Sequence, residues 1–527
     1  MKTYFLISLL PYLWYLIYKS RKSMHMLQQN WYNDGNRYLN WVFSNKKKAF
    51  LHLDLLFVLF VFLCAKEYSF VIFGLFYFII YFPYKKNILK EQSKKPLVIT
   101  ARIKRLYTTM LIIYAIGVVF FMMNFNMANL NLYYLYLGFL VVLNPFVILV
   151  ANVFNKPIEK MVFLHYKRIA KNKLESVSNL KKIAVTGSYG KTSCKNALND
   201  ILNVKYNSFA TPKSFNTMYG LMNAINNFMD KFSDTFVAEM GAFHQDEIAE
   251  KAAFIEPKYG ILTTVGTAHL ESFGSQENIQ KAKFELIDSL PDDGVAVLNM
   301  DDEYQTSYKI KSKCKVIWVS IGDKKADYCV TDLSLSNKGT KFTVLFKSDK
   351  KKYDFETKLL GKANVYNILQ AIAMAFELGL NIEQIQIGVK RIATIEHRLE
   401  LKKFGDINII DDAYNSNPVG SAMAVEVLGM MDGKKIIVTP GMIELGDKQY
   451  EYNMEFGRQI AKVCDEVILV GEEQTKPILD GLKKEKYNEK NIHILNDVKD
   501  AFPLMRKLSG KSTYVLLEND LPDIFNE

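Results

Sequence analysis

The chain has 527 residues, 49% of them hydrophobic, and a net charge of +12 from 67 Lys and Arg against 55 Asp and Glu. At roughly 150 residues per domain this length suggests three or four domains, and ordinary glycine and proline contents exclude collagen-like and disordered classes. The excess charge sits at one end, with 17 basic and 4 acidic side chains in residues 1–155 against 50 and 51 in the rest, so no nucleic-acid partner is expected.

Residues 1–155 read as a membrane domain of four or five transmembrane helices. Four apolar runs, Ala49–Ala65, Tyr68–Tyr84, Leu106–Met123 and Leu132–Phe154, are each close to the ~20 residues that cross a bilayer core as a helix. Asp54 is the main polar exception, and a shorter run, Tyr4–Tyr18, includes Pro11. Tyr and Trp crowd the run ends, as interfacial belts do. Residues 19–48 carry seven basic side chains and residues 85–105 carry eight; the positive-inside rule makes both loops cytoplasmic. Everything after residue 155 then faces the cytoplasm, from a multi-pass protein of the cytoplasmic membrane. Lys and Arg follow Tyr4–Tyr18 and no small-x-small site does, so a cleaved signal peptide is not expected. Five scattered cysteines without a CxxC pair argue against a disulfide framework or a structural zinc site and fit a reducing compartment.

After residue 155 strand and helix patterns alternate, the signature of an α/β fold with a parallel sheet. Lys181–Thr186 (KKIAVT) reads as a strand that runs into Gly187-Ser188-Tyr189-Gly190-Lys191-Thr192-Ser193, then a helical stretch Cys194–Leu202. Glycines let backbone N–H groups turn toward a phosphate, and the helix N-terminus adds positive potential. Lys191 is placed to reach the terminal phosphates, and the Thr192 hydroxyl to ligate Mg²⁺.

Further motifs follow in order: Thr211–Thr217 (TPKSFNT), Ala238–Gly241 (AEMG), Thr263–Glu271 (TTVGTAHLE), Gln280–Glu285 (QKAKFE), Val297–Asp302 (VLNMDD), Gly361–Asn367 (GKANVYN), Glu396–Glu400 (EHRLE), Ile410–Pro418 (IDDAYNSNP) and Gly441–Gly446 (GMIELG). With the phosphate loop, this series resembles the Mur ligase family, which uses ATP to join an amino acid or peptide to a carboxylate, and within it the D-Ala-D-Ala-adding, MurF-type branch. The resemblance runs from about residue 180 to about 450 and weakens beyond. It implies a central ATP-binding domain (156–397) and a Rossmann-like C-terminal domain (398–527). It implies ATP contacts at Gly187, Ser188, Gly190, Lys191, Thr192, Ser193, Asn299, Asn364, Asn367, Arg398 and Asp412. Substrate contacts are implied at Asn216, Thr217, Tyr414, Asn415 and Asn417. Lys191, Glu239, His269 and Lys283 take the catalytic roles; Thr192 and Glu239 would hold one Mg²⁺, His269 and a carbamylated Lys283 a second.

One single-residue departure and two larger ones stand out. Ala363 occupies the place of the histidine in GxHNxxN, and the last strand reads Tyr514-Val515-Leu516-Leu517-Glu518-Asn519-Asp520 where MurF-type enzymes usually have a KGS-like ending. The soluble domain that grips the uridine nucleotide in the family is replaced by the membrane segment. The expected reaction is ATP-dependent addition of D-Ala-D-Ala to a UDP-MurNAc-tripeptide through an acyl phosphate. Two alternatives remain: the same chemistry on a lipid-linked or surface-polymer acceptor, and a P-loop ATPase coupled to its membrane domain.

Overall fold

The computed structural model describes residues 2–30, 32, 36–45, 69–90, 96–123, 130–336, 338–405, 407–413, 416–443, 445–510 and 512–519. They fall into two compact units, Met1–His165 and Tyr166–Leu521.

The first unit is helical, built from Lys2–Gln29, Asn36–Ser44, Ser69–Lys90, Ala101–Met123, Leu130–Val142 and the first part of Asn144–Ser176. Its interior is aromatic: Tyr12 meets Tyr77 edge-on at 5.1 Å and Phe73 stacks on Tyr134 at 4.4 Å. Asn144 is buried there and donates to Ser20 Oγ (2.8 Å) and Tyr114 Oη (3.0 Å). Large apolar side chains face outward, among them Leu10, Trp14, Ile79, Phe82, Ile116, Phe120 and Phe154.

The expected spans need correction. Among the described residues one helix, Ala101–Phe120, is long and apolar enough to cross a membrane, or two if the bent pair Tyr133–Val142 and Asn144–Ser176 counts as one span. The run Leu132–Phe154 falls across that pair, so it is not one straight helix but turns by 75°. Pro145 follows the break, and its ring and missing N–H interrupt the helical ladder. Tyr4–Tyr18 lies in a helix that continues through Lys19, Arg21 and Lys22, and the apolar stretch of Ser69–Lys90 is only Val71–Phe82. The run Ala49–Ala65 lies outside the described residues. Four or five spans are therefore not reached among them.

The second unit is α/β with two sheets. The first is assembled from β1 (Lys181–Thr186), β2 (Ser208–Ala210), β3 (Thr235–Glu239), β4 (Tyr259–Leu262), β5 (Val295–Asn299), β6 (Lys315–Ile321), β7 (Tyr328–Ser336), β8 (Gly339–Phe346) and β9 (Lys351–Thr357). Their order is β2-β3-β1-β4-β5-β6-β7-β8-β9, parallel through β7 and antiparallel in the last two pairings. β1 is central, so its Ile183–Thr186 stretch is buried on both faces, as parallel strands under helices are. Helices Lys191–Leu202, Lys362–Glu377 and Ile382–Arg391 cover one face through Ile183, Val185, Val237 and Ile261.

The second sheet contains β10 (Glu400–Phe404), β11 (Ile407–Asp412), β12 (Lys434–Thr439), β13 (Glu466–Val470), β14 (Ile492–Leu495) and β15 (Thr513–Glu518), in the order β10-β11-β15-β12-β13-β14. Only β10 runs antiparallel. Helices Pro418–Gly429, Gln449–Ala461 and Glu472–Lys484 pack on one face and Val498–Leu508 on the other. Leu360, from the end of the first sheet's segment, is buried in the core of the second.

Gln449–Ala461 and Glu472–Lys484 meet through glycines: a Cβ on Gly481 would run into the Met454 carbonyl oxygen. Alanine there gains about 1 kcal/mol of helix propensity, but overpacking against a backbone atom costs about 1–3 kcal/mol. Gly481→Ala is therefore expected to lower stability, read as a lower urea midpoint of the purified protein.

Candidate active site

The site is built at the carboxyl end of β1. Gly187 and Gly190 have φ of 149° and 79°, and side chains on them would run into Thr263 Oγ1 and Asn367 Oδ1. Gly190 caps a helix that starts at Lys191, three residues before the expected Cys194, because its left-handed conformation turns the chain directly into the first helical turn. Ser188 N donates to Thr264 O (2.6 Å) and Ser188 Oγ to Gly266 O (3.0 Å), which pins the loop to the segment after β4. Lys191 folds back onto the loop, donating to Gly187 O (2.8 Å) and Ser188 O (3.0 Å). Burial, and then the Arg398 charge, lower its pKa to about 8 against the pull of Glu239.

Glu239, at the end of β3, is 1% exposed. Its Oε1 accepts from Thr192 Oγ1 (3.2 Å) and Asn216 Nδ2 (3.0 Å), and its Oε2 lies 3.2 Å from Lys195 Nζ. Lys195 is fully buried and also donates to Thr211 O (2.8 Å) and to Lys213 O. One ammonium thus ties the helix after the phosphate loop, the carboxylate and the 211–217 loop together. Sequence reasoning missed Lys195; the signal was its place one helical turn beyond Lys191, on the buried side of the helix.

Other expected residues fall into two groups. Asn367 abuts Gly190, while Asn364 donates to Leu360 O (2.8 Å) and Asn299 Oδ1 accepts from Asp301 N (3.0 Å). Ser193 is buried in the first helical turn. Thr217 and Asn417 cap helices, accepting from Gly220 N (3.1 Å) and Gly420 N (2.9 Å). Tyr414 and Asn415 lie outside the described residues.

His269 has a φ of 60° and packs on Phe243, ring centroids 4.4 Å apart. Lys283 is 2% exposed, with the Phe273 ring 5.3 Å from its Nζ. Burial first, then the charges of Lys191 and Lys251, lower its pKa to about 7.

No group of three or more His, Cys, Asp or Glu fit to hold a metal occurs among the described residues. Mg²⁺ asks for less, since it keeps several waters and binds one or two carboxylates plus substrate phosphates. Thr192 and Glu239, in contact at the foot of the phosphate loop, meet that need. An ammonium at Lys283 offers a metal no lone pair, whereas a carbamate there would.

Across the two sheets, Arg398 lies near enough to act electrostatically on Lys191, Lys195 and Asp412. Leu399 N donates to Asp412 Oδ1 (3.1 Å), and His397 and Lys402 both engage Asp411 Oδ2 (2.8 and 2.7 Å).

Residues 185–375 match the family model for the Mur ligase middle domain, and residues 397–518 the model for the Mur ligase glutamate ligase domain. The chain belongs to the Mur ligase family. This Mur ligase is 30% identical over 295 residues to the UDP-N-acetylmuramoyl-tripeptide–D-alanyl-D-alanine ligase of Escherichia coli (strain K12), covering 55% of this chain and 64% of that protein. It is 31% identical over 299 residues to the Bacillus subtilis (strain 168) protein of the same name, covering 56% and 63%. The chain thus spans a little under two thirds of the length of these relatives. A crystal structure of MurF from Acinetobacter baumannii superposes with a TM-score of 0.62 at 25% identity, over 68% of this chain and 77% of that one.

Removing one partner of a buried ion pair typically costs about 3–5 kcal/mol. Lys195→Met should destabilise the protein on that scale, and Lys195→Met with Glu239→Leu should recover part of the loss in the same denaturation assay.

Lys283 makes a pH-dependent contribution. The unfolded chain keeps this proton up to about pH 10.4, while the folded one releases it near 7. The destabilisation is therefore complete below pH 7 and relieved as pH rises above it. In carbonate-free buffer, wild-type stability should climb by about 1.4 kcal/mol per pH unit from this group, and Lys283→Met should lack that slope between pH 7 and 9.

Proposed function

We propose that this Mur ligase is an ATP-dependent peptide ligase that adds D-Ala-D-Ala to a UDP-MurNAc-tripeptide through an acyl phosphate. The observation that carries the reading is the phosphate loop with Lys191, Thr192 and Glu239 converging at its foot. The organisation proposed with it is a membrane domain (1–155), a central ATP-binding domain (156–397) and a C-terminal Rossmann-like domain (398–527).

Amide formation from a carboxylate needs a better leaving group than oxide. Phosphorylation by ATP supplies one, and attack by the incoming amine then releases phosphate and leaves the amide. The obstacle is charge, because an anionic carboxylate must approach the γ-phosphate. In this reading the Lys191 ammonium leaves its own loop carbonyls for the phosphate oxygens, and backbone N–H groups of the loop hold the rest of the chain of phosphates. Asn216, bonded to Glu239, brings the acceptor-side loop up to the same point. Arg398 adds positive charge from the C-terminal domain, whose closure excludes water from the acyl phosphate.

Mg²⁺ bound by Thr192 and Glu239, with a second ion at His269 and a carbamylated Lys283, would neutralise phosphate charge in the transferring group. Burial favours carbamylation by leaving much of Lys283 uncharged at neutral pH, since only the free amine adds carbon dioxide. ATP contacts at Gly187, Ser188, Gly190, Ser193, Asn299, Asn364, Asn367 and Asp412, and substrate contacts at Asn216, Thr217, Tyr414, Asn415 and Asn417, belong to the same proposal.

A second reading of the acceptor has its own support. The outward apolar side chains of residues 1–165, Ile79, Ile116, Phe120 and Phe154 among them, suit a lipid surface, and a membrane-held enzyme suits an acceptor carried on lipid.

Purified protein in detergent, given ATP, Mg²⁺, UDP-MurNAc-tripeptide and D-Ala-D-Ala, should release phosphate only with the dipeptide present and yield a pentapeptide product by mass. Release that requires a membrane extract supports the lipid-linked acceptor; release independent of any amine overturns the ligase. Lys191→Ala should cut turnover by roughly 10²–10³-fold, the usual loss on removing an electrostatic contact to a transition state.

A further inference from the structure

Glu518 ends β15, and its register partner on the neighbouring parallel strand is Asp412, the end of β11. Side chains in register on adjacent strands lie on the same face, which sets the two carboxyls side by side, close enough for each to act on the other electrostatically. Glu518 is 1% exposed. Its Oε1 accepts from Ser416 Oγ (2.7 Å) and Ser421 Oγ (2.8 Å), while Oε2 has no donor among the described residues.

Two carboxyls in such contact do not both ionise, so one of them holds a proton. The surroundings decide which. Asp412 has the Leu399 N–H on Oδ1 and the Arg398 charge nearby, both of which favour its anion; the Asp411 charge opposes them. Asp411 is itself engaged by His397 and Lys402. Glu518 meets only hydroxyls and the Asp412 carboxyl, with no cation bonded to it among the described residues, and burial raises its pKa well above the ordinary carboxylate value.

We propose that Glu518 is an uncharged carboxyl whose O–H donates to Asp412 and holds that carboxylate in the orientation in which it meets the nucleotide. Glu518 is then a positioning residue, in the strand where a KGS-like ending was expected. A lysine facing Asp412 would cancel its charge; a neutral acid fixes the side chain and leaves the negative charge intact opposite Arg398. The inference rests on the reading of Asp412 as a nucleotide contact.

The test uses the full-length protein in a maltoside detergent. The infrared difference between wild type and E518Q at pH 7 should contain the C=O stretch of a protonated carboxyl; its absence overturns the proposal. In the ligase assay E518A should raise the KM for ATP by roughly tenfold, the loss of one hydrogen bond to a charged group. E518Q should recover most of that affinity, because its amide donates to Asp412 and accepts from Ser416 and Ser421. A Gln variant as impaired as the Ala variant means that the charge of Glu518 is needed, and the proposal fails. D412N that leaves the KM for ATP unchanged sinks the nucleotide role alone, since the infrared band does not depend on activity.

Discussion

A carboxylate that is 1% exposed needs a counter-charge, and the arrangement of the whole site follows from how Glu239 obtains one. Lys195 supplies it from within the helix that begins at the phosphate loop, and the same ammonium bonds two carbonyls of the loop that follows β2. Three segments that would otherwise be independent are therefore fixed by one cation. Thr192 and Asn216 take the other oxygen of Glu239, so the carboxylate is already oriented before any ligand arrives. Preorganisation of this kind spares a site reorganisation at the moment of reaction.

Positive charge is deliberately crowded around the loop. Burial pushes Lys191, Lys195 and Lys283 toward their neutral forms; the Arg398 charge adds to that at Lys191 and Lys195, and the Lys191 charge does so at Lys283. Such crowding is unfavourable in the free protein and becomes favourable when a polyphosphate is bound. The second sheet handles the opposite problem, an excess of acid. Asp411 is paired with Lys402 and His397, Asp412 with a backbone N–H and a neutral neighbour, so adjacent aspartates occupy different charge environments.

What the sequence reveals depends on how local the cause is. The phosphate loop is legible because Gly187, Gly190 and Lys191 are dictated by a turn of a few residues. The α/β alternation is legible because buried parallel strands and amphipathic helices have different periods. Lys195 is legible only as a residue on the buried side of its helix, one turn beyond Lys191; its role is not, because its carbonyl acceptors lie 16 and 18 residues further along the chain. Thr217 and Asn417 stand in family motifs, and each side-chain oxygen also caps a helix, a use that composition alone does not separate from ligand contact. The run Leu132–Phe154 has the length and apolarity of a span, and a single proline beside Asn144 makes it a corner.

The rims of the two sheets carry a consequence of their own. β2 is three residues long and β14 four, too short to template much pairing with another chain. β9 begins with Lys351 and Lys352, and β10 carries Lys402 and Lys403. Unpaired backbone groups flanked by charge make poor partners for a stray strand. The nine-stranded and six-stranded ladders thus stop where they do, and copies of the protein held together at high local density are kept from growing into a common β-stack.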